Sequence, residues 1–266
     1  MRLVKAELLK VLTTSFWWIF GLIALALWAL TTLINAAYAN SELTYPDPER
    51  TREQIEIAQA TNLFTSGQFV GVLIVMMIGA IVVTNEFFHQ TATTTFLTTP
   101  RRERVLYAKV ATAVIFGLGL WLVTTVPNLV ATPLIMTAYD AASHLGEPEV
   151  WQAIGLDALA FALWAVFGVG AGVLIRSQIA ATVTLSTVYV VGYFGAAILF
   201  SALTPQIGDW FGKLQVLVPP LASQLMVAGT ELPGEPARWV GAVVLIGYAV
   251  LMGTVGTLIM KRRDVS

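Results

Sequence analysis

The chain has 266 residues, of which 57% are hydrophobic and only 12% charged, with a formal net charge of -1; a soluble domain carries roughly 25% charged residues. This composition excludes an ordinary soluble protein, and a nucleic-acid partner is not expected. Cysteine is absent, which excludes a disulfide framework, a thiolate metal site and a thiol nucleophile.

Residues 2–14 place Val4, Leu8, Val11 and Leu12 on one helical face, with Arg2, Lys5 and Lys10 largely off it. The pattern predicts an amphipathic interfacial helix, with its apolar face in the acyl boundary and its basic residues near anionic headgroups. The alternative is a basic flank that only orients the first span. That span is 16–39, opened by the interfacial aromatics Phe16, Trp17 and Trp18. Ala37-Tyr38-Ala39 resembles a signal-peptide cleavage pattern, but the apolar run of 24 residues exceeds the roughly 7–15 of a signal h-region. The run is read as a span.

Residues 40–66 form an acidic loop, in which Asp47-Pro48 reads as an N-cap and first helical position. A short helix near 48–62 follows from that. The second span is 67–85. The third, 107–137, has no charge after Lys109, and Pro127 and Pro133 should kink or end it. The fourth, 156–175, and fifth, 179–203, meet in a short turn at Arg176. Gly168 and Gly172 form a GxxxG pair that admits a closely packed neighbour. Asp157 and Arg176 lie at span ends, where snorkelling keeps a charge hydrated. In the loop 204–237, the apolar run 214–226 has only 13 residues and contains Pro219 and Pro220. It is too short to cross a bilayer, and reads as a re-entrant segment of two short pieces. The sixth span is 239–260, closed by Lys261, Arg262 and Arg263.

Charge sorts these elements by side. Arg2, Lys5, Lys10, Arg101, Arg102, Arg104, Lys109, Arg176, Lys261, Arg262 and Arg263 fall on one side, and only Arg50, Arg52, Lys213 and Arg238 on the other. The acids reverse the bias, with 12 of 16 on the second side. A Lys/Arg excess marks cytoplasmic loops. The fold is therefore an all-α integral membrane protein with six transmembrane helices and both termini cytoplasmic.

Chemistry is sparse. His89 and His144 both fall in loops, and no HExxH motif or paired intramembrane aspartates occur, so neither a metal site nor a catalytic residue is expected. Gly208 through Gly212-Lys213 superficially matches a phosphate loop. It is one residue short between the glycines and lacks the Ser/Thr that would meet magnesium. The chain thus binds no cofactor of its own. Ion-coupled carriers tend to hold ionisable groups within their spans, and these spans are nearly charge-free.

The remaining loop, 86–106, reads NEFFHQTATTTFLTTPRRERVL with the preceding Asn85. Glu86 closes the second span. Phe87, Phe88, Phe96 and Leu97 alternate with Thr91 and Thr94, and Pro100 leads into Arg101, Arg102 and Arg104. The residues fit equally a short surface helix anchored by aromatics and an ordinary positive-inside loop.

The run from Glu86 through Thr94 to Pro100-Arg101-Arg102, with Lys109 entering the next span, resembles the segment after the second span of type-2 ABC transporter permeases. The turn Leu174 to Ala181 and the closing Arg262-Arg263-Asp264-Val265 resemble that family too. Phe88-His89-Gln90 departs from it, since many relatives have a basic residue and glycine there. The resemblance implies the membrane subunit of a bacterial ABC exporter in the plasma membrane, two permease copies working with two copies of a cytosolic ATPase that binds ATP and magnesium. It implies that loop 86–106 is the coupling element, with Glu86, Phe87, Phe88, Thr91, Thr94, Phe96, Leu97, Arg101 and Arg102 at the ATPase or the lipid headgroups. It also implies a route lined by the first, second and fifth spans, and an amphipathic cargo such as a drug, an antimicrobial peptide or a lipid. The rival readings are an ion-coupled secondary transporter and a membrane anchor or assembly factor with no transport path.

Overall fold

A computed structural model describes residues 2–90, 102–228 and 236–262. Its described residues form helices and no strands, and six helices are long and apolar enough to cross a membrane. The order is α1 (Arg2–Leu12), α2 (Phe16–Thr44), α3 (Arg52–Phe64), α4 (Gln68–Phe88), α5 (Arg102–Ala138), α6 (Pro148–Ile175), α7 (Gln178–Ile207), α8 (Asp209–Lys213), a 3-10 turn Leu214–Leu217, α9 (Pro219–Val227) and α10 (Arg238–Arg262). This is a multi-pass membrane protein.

Helices α4 and α6 form the centre and share the most extensive interface in the bundle. Small residues make it possible. A Cβ on Gly168 would fall on the Met76 carbonyl, and one on Gly172 would sit 2.8 Å from Ala80 O. From the other side, a Cβ on Gly79 would lie 2.6 Å from Ala165 O. Backbone therefore meets backbone over several turns, where dispersion contacts drive helix association in lipid. Gly170, on the opposite face of α6, meets the backbone of Met252 in α10.

Burial divides the spans. The apolar window of α4 is 78% buried within the chain, whereas those of α2, α7 and α10 are 17%, 11% and 17% buried. The second span is thus an interior helix. Of the three helices expected to line a route between permeases, only α2 and α7 offer broad free faces.

Several boundaries differ from the sequence reading. The short helix after α2 is capped by Thr51 rather than Asp47. Thr51 Oγ1 accepts from Gln54 N, and the Gln54 side chain accepts from Thr51 N, a reciprocal capping box. Asp47 instead closes a turn, its Oδ1 accepting from Glu49 N at 2.9 Å. Pro127 and Pro133 lie inside α5, which continues through both to Ala138. Neighbouring helices hold this segment, so the lost backbone donors do not break it.

Asp157 is another correction. It is 2% exposed rather than snorkelled, and its Oδ1 has no hydrogen-bond partner among the described residues. On α1 the apolar residues divide. Val11 belongs to the main core cluster, while Leu9 and Leu12 are the exposed apolar residues.

The junction of α3 and α4 leaves carbonyls without helical partners. Asn128 of α5 answers them, its Nδ2 donating to Phe64 O at 3.0 Å and Ser66 O at 2.9 Å. Its Oδ1 accepts from Trp28 Nε1 at 2.7 Å, so one amide ties α2, α5 and the turn together. Residues 209–227 form short helical pieces broken at the extended residue Val218, and Pro219-Pro220 open the piece that follows it. Pro at the first helical positions loses nothing, because those N–H groups have no partner in any helix. A Cβ on Gly241 of α10 would strike Ala222 O, so α9 lies directly on the last helix.

Candidate functional site

The end of the bundle that carries most basic residues also holds a buried cluster of charge. An isolated charge out of water is unaffordable without a partner, and here four side chains supply one another. Glu7 of α1 is 5% exposed and Lys109 of α5 only 1%. Lys109 Nζ lies 2.8 Å from Glu7 Oε2, 3.0 Å from Glu86 Oε1 of α4, and 3.0 Å from the carbonyl of Val82. Lys10 Nζ closes the group at 2.6 Å from Glu7 Oε1 and 2.7 Å from Glu86 Oε1. Burial pulls the Lys10 ammonium down, but hydrogen bonds to Glu7 and Glu86 outweigh it and hold the group above its ordinary range.

Among the described residues the cluster sets two acidic side chains against two lysines. Its placement follows from helix geometry. Glu7 and Lys10 stand three apart and share a face of α1. Glu86 occupies the last turn of α4, and Lys109 the second turn of α5. The end of α4 and the start of α5 meet at this cluster, which binds both helices to each other and to α1.

Phe87 and Phe88 diverge. Phe87 packs partly against the core, and the Arg176 guanidinium sits 5.2 Å from its ring centroid. Arg176 is the C-cap of α6 at φ 56, with Ser177 capping α7 immediately after it. This turn is thereby fastened to the end of α4. Phe88 is 64% exposed, beside His89 at 5.0 Å between ring centroids.

Of the residues expected at the coupling loop, Glu86, Phe87 and Phe88 are placed by the structure, and Arg102 opens α5. Thr91, Thr94, Phe96, Leu97 and Arg101 lie outside the described residues. Glu86 faces inward to Lys10 and Lys109, not outward. Lys10 pairs within the cluster while its side chain stays nearly half exposed, and Arg2 contributes the first residue of α1.

Sequence reasoning missed Glu7 and the pairing role of Lys109. The signal was present: an acid at 7 in a basic amphipathic helix, and a lysine within an apolar helix, each require a partner. Nothing in the linear order says that they find each other.

A family model described as ABC-2 family transporter protein matches residues 3–193. The chain belongs to the ABC-2 transporter family. The match runs from α1 into α7, taking in all four members of the ion cluster and the whole connection between α4 and α5. No curated protein matches the chain. An ABC-2 family chain is the membrane subunit of a transporter rather than a catalytic one, and the family works in general with an ABC ATPase. The cluster lies at the end of α4 and the start of α5, the helices of the second and third spans.

Proposed function

We propose that this chain is the permease subunit of an ATP-driven exporter in the bacterial plasma membrane, two copies working with two copies of a cytosolic ABC ATPase. Its termini and the basic end of the bundle face the cytosol, as the Lys/Arg bias requires. Its cargo is amphipathic, of the drug, antimicrobial peptide or lipid class, and α2 and α7 bound the route.

The observation that carries this reading is the Glu7–Lys10–Glu86–Lys109 cluster. ATP-driven motion of the ATPase pair moves helices only through contacts that differ between its states. A connection docked on the ATPase delivers that displacement to α4 and α5 together, because their ends are ion-paired, and carries α1 with them. A loop joined to unpaired helix ends would dissipate it. The basic residues of the loop, Arg101 and Arg102, would hold headgroup phosphate or acids of the ATPase.

The test is co-purification with the partner ATPase, followed by ATP hydrolysis measured with and without cargo. Glu86→Gln keeps shape and loses charge. The assembled complex should lose cargo-stimulated hydrolysis and export together. Export that needs no ATPase would sink the proposal.

One observation favours the ion-coupled reading instead, namely the buried carboxyl of Asp157, since an ionisable group within a span is a functional candidate by default. Under the exporter reading, Asp157→Asn leaves ATP-dependent export intact. Loss of export with ATP hydrolysis unchanged would favour ion coupling.

A further inference from the structure

The opposite, acidic end of the bundle holds a cavity of about 500 Å3 between α2, α3, the start of α4 and the segment around α9, within the range of ligand sites, roughly 300–1,000 Å3. Tyr38, 53% exposed, stands on its wall, so the cavity reaches the surface. Six carboxamides line it, from Asn35, Gln59, Asn62, Gln68, Gln215 and Gln224, together with one cation, Arg50, and among the described residues no carboxylate does.

The amides are held in place. Asn35 Nδ2 donates to Ser66 Oγ at 2.8 Å, Gln68 Nε2 to Ser223 O at 3.1 Å, and Gln224 Oε1 accepts from Tyr193 OH at 3.1 Å. Each bond uses one end of an amide and leaves the other end for a ligand. Gln59 is 4% exposed, yet its Oε1 has no partner among the described residues. A buried polar atom left unmatched costs free energy that a ligand donor would recover.

The donor set selects a chemistry. A carboxamide presents an acceptor and two donors side by side. Phosphate offers acceptors alone and is matched by clustered Arg, Lys or backbone N–H groups, whereas this wall sets a single Arg50 among six amides; an ammonium offers donors alone and calls for carboxylates or an aromatic cage. A peptide backbone offers one donor and one acceptor at every residue. Sugar hydroxyls offer both as well, but Val216, Leu221 and Leu225 share the wall and suit apolar side chains rather than hydroxyls.

We propose that this cavity binds a peptide segment, its backbone hydrogen-bonded to the carboxamides and its apolar side chains against Val216, Leu221 and Leu225. The site's place in transport rests on the exporter reading; binding itself does not.

The test uses the native absence of cysteine. The full chain carrying Asn62→Cys is placed in lipid nanodiscs without ATPase and labelled with a maleimide. The competitor is an end-capped tetrapeptide of alternating leucine and glycine, with maltose and a short-chain phosphatidylcholine as separate arms. At about ten times its dissociation constant the peptide should slow labelling about tenfold, by mass action, and leave a Ser143→Cys control unchanged.

Gln59→Leu should abolish the protection. Gln215→Leu, at a half-buried position, should weaken it severalfold. Failure of the maleimide to reach position 62, absence of protection by the peptide, protection by maltose or lipid instead, or protection unaltered in both leucine variants would each overturn the proposal. Protection retained in a chain whose export needs no ATPase would sink the exporter reading and leave the site standing.

Discussion

Lys109 shows how much of this protein hangs on single ion pairs. At 1% exposure it has no water to fall back on, and its ammonium answers Glu7, Glu86 and the Val82 carbonyl at once. Removing one partner of a buried pair strands the other, which costs about 3–5 kcal/mol. Lys109→Met should lower the thermal unfolding temperature in detergent markedly. Lys10→Ala should lower it less, because Lys10 is nearly half exposed and surface pairs contribute little. Replacing Glu7 and Glu86 by glutamine along with Lys109→Met should recover most of the loss, since no buried charge then remains unpaired and Lys10, nearly half exposed, is left to water. If the triple variant is no more stable than Lys109→Met alone, the lysine's role is packing and not charge. Glu86→Gln alone separates stability from coupling, because its fold persists on Lys109 and Glu7 while cargo-stimulated ATP hydrolysis falls.

Among the elements, α4 and α6 are the pair whose contact must not be disturbed. Gly168 admits no side chain, because a Cβ would meet the Met76 carbonyl, and backbone cannot retreat as a flexible side chain can. Gly168→Val should therefore abolish the folded monomer in detergent. Gly192 and Gly195 in α7 have open space around them, and the same substitution there should be silent in the same size-exclusion assay. A matching loss at Gly192 would show that valine damages these helices for reasons unrelated to packing. At α3 the capping box makes a smaller forecast: Thr51→Ala should cost about 1 kcal/mol, read as earlier thermal unfolding, whereas Asp47→Ala should cost less because that side chain caps a turn and no helix.

For the whole molecule, the sided charge and the exposed faces meet in one set of experiments. With both termini cytoplasmic, cysteines at Ser41 and Ser143 should react in intact cells with an impermeant thiol reagent, while one at Thr98 should stay silent until the membrane is opened. Outside labelling at Thr98 would end the proposed orientation. The broad apolar faces of α2 and α7 have two possible covers, lipid tails and a second permease. Val188 of α7 is 64% exposed, and a short bis-maleimide should join two chains carrying Val188→Cys in native membranes if the second copy sits there. Monomers alone, with the cysteine reactive, would leave that face to lipid.

Much of this architecture was legible from the chain itself. Long apolar runs must be helices in a bilayer, because only an α-helix satisfies its own backbone groups there. The doublet Pro219-Pro220 foretold a break, and the loop pattern after Glu86 pointed to the family. Boundaries were less legible: Asp47-Pro48 and Thr51-Arg52-Glu53-Gln54 both signal a helix start, and only the folded chain chooses the second. Sites joined across sequence were not legible at all. Apolarity in a membrane chain marks lipid-facing and core-facing residues alike, so hydropathy could not tell that α4 is interior while α7 is bare. The partners in the charge cluster stand up to 102 residues apart, and the amides around the cavity, from Asn35 to Gln224, lie further apart still. Which carboxylate meets which ammonium depends on how glycines let α4 and α6 close together and set the angles of every helix around them, and tertiary packing alone decides that.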